Sequence, residues 1–493
     1  MKHHDIVLVY DDRELVPDTL RDVIKTERFS QVVKKQRRLG QIIEAFAATV
    51  ANCRFASLGN AADVTVFERQ VETGDAGTLY FWLPSYLMPE DADAFVLLLQ
   101  KAPWVLGNTI IGTVGDRPVP AVLRRDAFLR LLETDSEAGL RQYFRQMYEQ
   151  DEKITDPCRF QDLRDVGTFL GFIATATETR HYNHLVSAGH VFRKTSGNID
   201  KMRREYRFSH EAPEALKRFF LPTFDYHEEK GSAGYSMEYM PIPDAAIQLI
   251  HGALDETGFM VLLDRTFDYL SSRPRQNVGR QGALEAANQG VWGKLVERYA
   301  QFKGQDAGQQ TEKLLAATGI ADNLDVLLER AKACYDRAVA RDDTTESAFS
   351  HADPCFSNIL FQQSTGIFKL IDPRGIDTAE EGYIHPLYDL AKISHSILGG
   401  YDYINHGLYD YDLSAGLRLE LVLQDGGPPQ WMRRAFADRL ATEGYNLAVI
   451  RAYEATLFLS MLPLHIDHPR KLPAFLLTAD HILTALESEA DLL

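Results

Sequence analysis

The sequence predicts a chain of α/β and α+β parts, and three observations carry that expectation. Helices and strands alternate through residues 1 to about 165, the order expected of an α/β domain. A strand-rich stretch follows, with runs at Tyr182 to Ser196 and Tyr235 to Pro243. From Ala245 to about Thr345, and again from Trp431 to Leu492, apolar residues recur mostly at helical spacing.

Length and composition bound the rest. A chain of 493 residues is long enough for several domains, each with its own core. Hydrophobic residues make up 45% and charged residues 25%, which is ordinary for globular protein. No window offers the roughly 18 or more unbroken apolar residues that a membrane-spanning helix needs. The start, MKHHDIVLVYDDREL, has a short apolar run before two aspartates, which suits a first strand and no signal peptide. Cys53, Cys158, Cys334 and Cys355 are scattered without CxxC spacing, so neither a zinc site nor a disulfide framework is expected. A cytoplasmic location fits that usage. The formal charge of −17, from 53 basic and 70 acidic residues, argues against nucleic acid or anionic membrane as the main partner.

Within 1–165, Asp5 to Tyr10 and Thr78 to Leu83 read as buried strands. Leu39 to Val50, Ala94 to Leu99 and Arg124 to Leu132 read as helices. Trp104 to Thr113 reads as a strand punctuated by glycine. Asp11, Asp12 and Asp63 are candidate metal ligands, but a solvated strand end is the preferred reading. Asp151 to Phe169 is polar, carries Pro157, and reads as a domain junction.

The stretch that decides the chain is His351 to Gly375, HADPCFSNILFQQSTGIFKLIDPRG. Two apolar runs, Asn358 to Phe361 and Ile367 to Ile371, flank the turn chemistry of Ser364-Thr365-Gly366, so the segment reads as loop, strand, turn, strand. A hairpin of that kind brings Asn358 and Asp372, at its open ends, close together. One amide oxygen and one carboxylate are hard ligands that Mg²⁺ accepts when phosphates and waters complete its shell. Asp353 lies upstream in the loop, free to orient an acceptor hydroxyl.

This segment resembles the HGDxxxxN loop and later metal-binding aspartate of the aminoglycoside phosphotransferase and choline kinase superfamily. The phrases IDPRG, HPLYDLAKISHS and SMLPLHIDHP look closest to phosphotransferases of bacterial capsular and surface-polysaccharide clusters. The resemblance runs from near residue 170 to the C-terminus. It implies a bilobal protein-kinase-like fold, with a small β-rich lobe at 166–240 and a large, mainly helical lobe at 241–493. Residues 1–165 would be an accessory α/β domain that resembles a degenerate nucleotidyltransferase-like one, although that fold's glycine-rich nucleotide loop is missing.

On that resemblance the remaining elements take roles in order. Lys194, ending the second strand of YNHLVSAGHVFRKTS, would neutralise the α and β phosphates of ATP, and Glu205 on the next helix would pin it. Lys201 competes for that role, although its place in the first helical turn faces solvent. Asn183 and Ser187, with backbone N–H groups, would cover the phosphates in place of a GxGxxG loop. Main-chain groups near Glu238 and Met240 would bond the adenine edge, with Met237 or Tyr239 packing around it. His351 would support the catalytic loop. Ala352 replaces the loop's usual glycine, and the backbone there is expected to keep a conformation an L-residue tolerates. Arg374 either holds an acceptor's phosphate or carboxylate or braces the loop against Asp377 or Glu380. Asp389, after Pro386, would bond back to the catalytic loop.

Tyr401 to Asp412 reads as an exposed loop capping the larger lobe, and Leu417 to Leu423 as a strand. His465 and Asp467 read as a helix-end polar cluster. The expected activity is ATP- and Mg²⁺-dependent phosphorylation of a hydroxyl on a small molecule, a sugar or polyol precursor of surface polysaccharide. Two alternatives stand beside it: a catalytically silent nucleotide-binding scaffold, and an aminoglycoside-modifying kinase.

Overall fold

The computed structural model describes residues 4–34, 36–111, 119–134, 137–150, 152–154, 158–174, 183–188, 191–318, 320–413, 419–488 and 492, with backbone alone at 137, 148–150, 152–154, 174 and 183–188. The chain divides into two compact units, Met1–Ala176 and Thr177–Leu493.

The first unit is built on a six-stranded sheet. Strand β1 (Ile6–Asp11) is buried along its whole length and lies between β2 (Cys53–Leu58) and β3 (Leu79–Pro84), parallel to both. An unbroken run of buried residues is what a parallel strand covered on both faces requires. Helices α1 (Leu39–Ala48) and α2 (Ala61–Thr73) connect these strands, and α3 (Ala92–Lys101) follows them. The sheet continues through β4 (Thr109–Ile111), β5 (Ala121–Leu123) and β6 (Glu152–Ile154), with β5 antiparallel between β3 and β4. Helix α4 (Arg125–Leu132) buries Phe128, which stacks on Tyr80 at 4.6 Å between ring centroids.

Three expectations change here. Of the segment Trp104 to Thr113, only Thr109–Ile111 is strand among the described residues, because Ala102–Trp104 forms a helical turn that ends the preceding helix. The segment 151–169 is not a bare junction: β6 joins the main sheet, and Phe160–Asp162 pairs with Leu87–Pro89. Helix α5 (Val166–Ala174) falls in the first unit with them, and Phe172 on it lies 3.3 Å beneath the Lys34 ammonium. The end of β1 is buried, not solvated. Asp11 accepts from Trp82 Nε1 at 2.8 Å and from Arg13 at 2.7 Å, and Asp12 is 2% exposed. Asp63 caps α2 by accepting from the Gly59 and Asn60 N–H groups, which accounts for it without a metal.

The second unit opens with an antiparallel sheet of four strands in the order β7 (Asn183–Ala188), β8 (Val191–Ser196), β10 (Ser232–Glu238) and β9 (Thr223–Glu229). Helix α6 (Ile199–Glu211) lies against it, started by Asn198, whose side chain accepts from Lys201 N–H. Its buried residues Met202, Glu205 and Phe208 recur every three positions, which puts Glu205 on the inward, apolar face.

After Pro243 the chain becomes mainly helical. Helices α7 (Ala245–Ile250), α8 (Glu256–Ser272), α9 (Lys294–Lys303) and α10 (Leu324–Ala340) lead to β11 (Glu346–Phe349). The hairpin of β12 (Ile359–Gln362) and β13 (Ile367–Leu370) follows, paired Ile359 to Leu370 and Gln362 to Ile367. It is anchored on both sides: Phe361 N–H bonds Pro243 O, and Leu370 N–H bonds Phe219 O at 2.7 Å. Helix α11 (Leu387–Ile397) then packs under the loop before the hairpin, and α12 (Leu447–Ser460) and α13 (Lys471–Ser488) close the core around Phe458 and Phe475. Tyr401 to Asp412 is no exposed loop. Its first half is a helix, Tyr401–Asn405, with Asp402, Tyr403 and Ile404 buried, and Tyr409–Leu413 pairs with Leu419–Leu423.

Candidate active site

Lys194 is a strand residue with the same-face neighbours Phe192 and Ser196. It is paired in register with Tyr235 of β10 and is 1% exposed. Its ammonium donates to Glu205 Oε2 at 2.7 Å and to Asp372 Oδ1 at 2.9 Å. The Tyr235 hydroxyl donates to the same Glu205 oxygen at 2.9 Å. Burial pulls the lysine toward neutrality, but Asp372, Tyr235 and Glu205 outweigh it and hold its pKa well above the ordinary value. Burial likewise opposes ionisation of Asp372, and Lys194 reverses the effect, keeping that carboxyl below the usual range. Lys201, the competing lysine, stands 3.5 Å from Glu205 Oε1 and is 39% exposed, so it reaches the pair from outside.

The loop after Asp372 is fastened to the helix that carries Glu205. Ile376 N–H bonds Arg204 O, and Gly375 lies so close that a Cβ there would stand 2.4 Å from the Arg204 carbonyl carbon and 2.5 Å from Glu205 N. Arg204 also pairs with Glu381 at 2.7 Å and with Asp377 at 3.3 Å. Asp372 itself has φ +55°, the left-handed region that aspartate enters more readily than most residues.

Asn358 stands at the other open end of the hairpin, where Ile371 N–H bonds its carbonyl at 3.0 Å. Its Nδ2 donates to Asp353 O at 2.9 Å. That bond uses the amide nitrogen, and no bond to the amide oxygen is found among the described residues. Asp372 in turn has one oxygen on Lys194 and a side chain 42% exposed. Two hard oxygen donors at the mouth of one hairpin suit Mg²⁺ with phosphate and water completing the shell. Among the described residues no group of three or more His, Cys, Asp or Glu side chains is gathered as a metal site, His465 and Asp467 included.

The stretch from His351 to Asp353 is held from beneath. The His351 Nδ1 accepts from Asp353 N–H at 3.2 Å, so Nε2 carries the proton and donates to Ile371 O at 2.9 Å. Burial pulls His351 below its ordinary pKa and favours this neutral form. Asp389 is wholly buried. Its Oδ1 accepts from Ala352 N–H at 2.8 Å, and its Oδ2 from the Tyr269 hydroxyl at 2.8 Å and Arg273 at 3.2 Å. Ala352 has φ +62°. The expectation of a conformation easy for an L-residue is therefore corrected. The backbone keeps the left-handed turn that glycine would favour, at a cost of about 1–2 kcal/mol, and the Asp389 bond to its N–H holds it there.

Asp353 has a partner that the motif does not disclose. Lys392, from α11, stands 2.9 Å from Asp353 Oδ1. Burial would raise the Asp353 pKa, but Lys392, with His351 and Lys294 behind it, drives it well below the usual carboxylate range. One signal was present in the sequence: Lys392 follows Asp389 by three residues on a helix, so both face the loop. Lys294 and Arg273 lie 59 and 80 positions before Asp353, with no local pattern linking them to it.

Other candidate residues are less engaged. Asn183 and Ser187 sit on β7, but their side chains lie outside the described residues. Glu238 is exposed at the end of β10, while Met240 accepts from Ile242 N–H at 2.8 Å, so its carbonyl is occupied. Met237 belongs to the small core cluster with Met202 and Tyr235, and Tyr239 stacks on Phe192. Around that cluster Phe192, Met240, Leu360 and Ile371 remain partly exposed and offer apolar surface to a flat ring. Arg374 does not brace the loop through Asp377 or Glu380. Asp377 is taken by Arg204 and Arg207, and the exposed Arg374 side chain has no carboxylate partner among the described residues.

No known family model and no curated protein matches the chain. Among solved structures it is similar to a thermostable mutant of aminoglycoside phosphotransferase APH(4)-Ia. The apo form has 13% identity and a TM-score of 0.35 over 62% of this chain and 94% of that one. A ternary complex of such a mutant with ADP and hygromycin B has 13% identity and a TM-score of 0.36 over 64% and 97%. At TM-scores this low the likeness carries no weight of its own.

The close approach at Gly375, rather than the exposed ion pairs, keeps α6 in place. Gly375→Ala is expected to cost about 1–3 kcal/mol in equilibrium unfolding by overpacking. Asp377→Ala is expected to cost at most about 1 kcal/mol, since its pairs are solvent-exposed. Equal losses would contradict this division.

Proposed function

We propose that the chain is an ATP-dependent phosphotransferase that phosphorylates a hydroxyl group of a small molecule. The observation that carries the reading is the position of the Lys194 ammonium between Glu205 and Asp372, with Asn358 bonded through its backbone carbonyl to Ile371, the neighbour of Asp372. The resemblance of the phrases IDPRG, HPLYDLAKISHS and SMLPLHIDHP supports a sugar or polyol of surface-polysaccharide synthesis as the acceptor, used in the cytoplasm.

In this reading ATP lies with its base over the apolar surface of Phe192, Met240, Leu360 and Ile371. Lys194, fixed by Glu205, neutralises the α and β phosphates. Asn358 and Asp372 are the residues that would hold Mg²⁺, which when bound offsets charge on the phosphates. Asp353 accepts the hydrogen bond of the acceptor hydroxyl and orients its oxygen toward the γ-phosphorus. The new O–P bond forms as the bond to the β–γ bridging oxygen breaks, ADP leaves, and the hydroxyl proton passes to Asp353. Its depressed pKa makes Asp353 a weak base, so it serves chiefly to orient and takes the proton late. A loose transition state tolerates that arrangement.

Replacing Asp353 by Asn is expected to lower kcat about 10²–10⁴-fold with nucleotide affinity near normal. Asp372→Ala is expected to weaken MgATP binding as well. Unchanged turnover in a labelled-ATP transfer assay with a metabolite library would sink the assignment, and no transfer by the wild type would favour the silent-scaffold reading.

The Lys392 contact adds a pH signature. Because Asp353 is depressed, its ionised form persists as pH falls until well below about 3.9, the ordinary aspartate value. In Lys392→Met, burial is opposed only by the weaker influence of His351 and Lys294. The acid limb of kcat should then move to higher pH, above about 4. A limb that stays in place would show that Lys392 does not tune Asp353.

A further inference from the structure

Besides Lys392, two further cations stand near the loop that carries Asp353. Lys294 Nζ lies 3.0 Å from the Tyr388 hydroxyl and 5.5 Å from its ring centre, with no carboxylate partner among the described residues. Tyr388 and Lys392 stand four positions apart on α11, one turn along the same face. Arg374 is tied to the catalytic loop by its N–H, which bonds His351 O at 3.0 Å, while its guanidinium is exposed. Asp353 is matched by Lys392, so Lys294 and Arg374 remain as cations with no carboxylate within ion-pair distance among the described residues, in a chain whose formal charge is −17.

Burial, then Arg374, Lys392 and Arg298, pull Lys294 below its ordinary pKa, with only Tyr388 opposing them. Burial would raise Tyr388, yet Lys294, Lys392 and Arg374 bring it below the usual tyrosine value. Of the three, Lys294 touches the hydroxyl directly, at 3.0 Å.

The backbone gives an independent sign. Residues Asn288–Gly293 form a π-helical turn directly before Lys294 at the start of α9. Such turns widen a helix by a residue, re-aim the side chains that follow, and are found frequently at functional sites.

We propose that the acceptor carries an anionic group, a phosphate or carboxylate, that binds between Lys294 and Arg374 beside the Tyr388 hydroxyl and places its reacting hydroxyl at Asp353. This rests on the phosphotransferase reading for the reaction, but the anion site stands on its own residues. Arg374 offers the planar fork that such groups accept, and Lys294 a point charge. A polycationic aminoglycoside has the wrong sign for this wall of the site.

The test is calorimetric titration of inorganic phosphate into the full-length protein at fixed ionic strength, with a non-hydrolysable MgATP analogue filling the nucleotide site. One phosphate per chain is expected, weakened at least about tenfold by Arg374→Gln and by Lys294→Gln. MgADP affinity is expected to stay within about twofold in both variants, since neither residue holds nucleotide in this reading. Arg374 is exposed, so its replacement carries little folding burden. Absence of phosphate binding by the wild type, or equal binding by all three proteins, overturns the anion site and leaves the phosphotransferase reading intact if MgADP binds. If MgADP does not bind, the phosphotransferase reading fails, and the same variants titrated without nucleotide decide the anion site.

Discussion

One buried ammonium organises the second unit. Lys194 is withdrawn from water on a central strand and survives charged because two carboxylates meet it, Glu205 from the next helix and Asp372 from a segment 178 residues on. Removing Glu205 would leave the buried ammonium with Asp372 alone, whose side chain is 42% exposed, and removing Asp372 would leave it with Glu205 alone. The surrounding architecture follows from that constraint. Glu205 needs a helix laid against the sheet, and Asp372 needs the hairpin of Ile359–Gln362 and Ile367–Leu370 anchored to Phe219 and Pro243. Gly375 permits the two segments to touch. The lysine is thereby coupled to the position of both the helix and the hairpin.

A second buried charge plays the same part for the loop before the hairpin. Arg273 and Asp389 are both fully buried and satisfy Ser350, Tyr269 and the Ala352 backbone between them. This network holds Ala352 in a left-handed turn that its side chain disfavours, and it fixes the direction in which Asp353 leaves the loop. Lys392 then sets the charge of Asp353 from the same helix that supplies Asp389. Strain at such a position persists only where the surroundings over-determine it.

What could be read from the sequence was short-range. The hairpin was legible because turn residues separate two alternating apolar runs, and the step from Lys194 to Glu205 spans only eleven residues of strand, turn and helix. What escaped reading depends on tertiary packing. Lys294 and Arg273 reach the loop from helices far upstream, and no period in the chain points them there. The buried end of the first strand was misread because Asp-Asp looks solvated until Trp82 and Arg13 arrive to satisfy it. The tyrosine- and aspartate-rich segment after Gly400 looked like a surface loop for the same reason: its polar letters hide Asp402, Tyr403 and Ile404, which face inward.

The central claim is that Asn358 and Asp372 share one divalent cation beside a nucleotide's phosphates. Electron paramagnetic resonance with Mn²⁺ as the reporter tests it most directly, by counting bound Mn²⁺ in the presence of ADP. Mn²⁺ is expected to bind with the nucleotide and to be lost, or bound at least about tenfold more weakly, in both Asn358→Ala and Asp372→Ala. Mn²⁺ bound equally well by both variants, or not bound by the wild type with ADP, would contradict it.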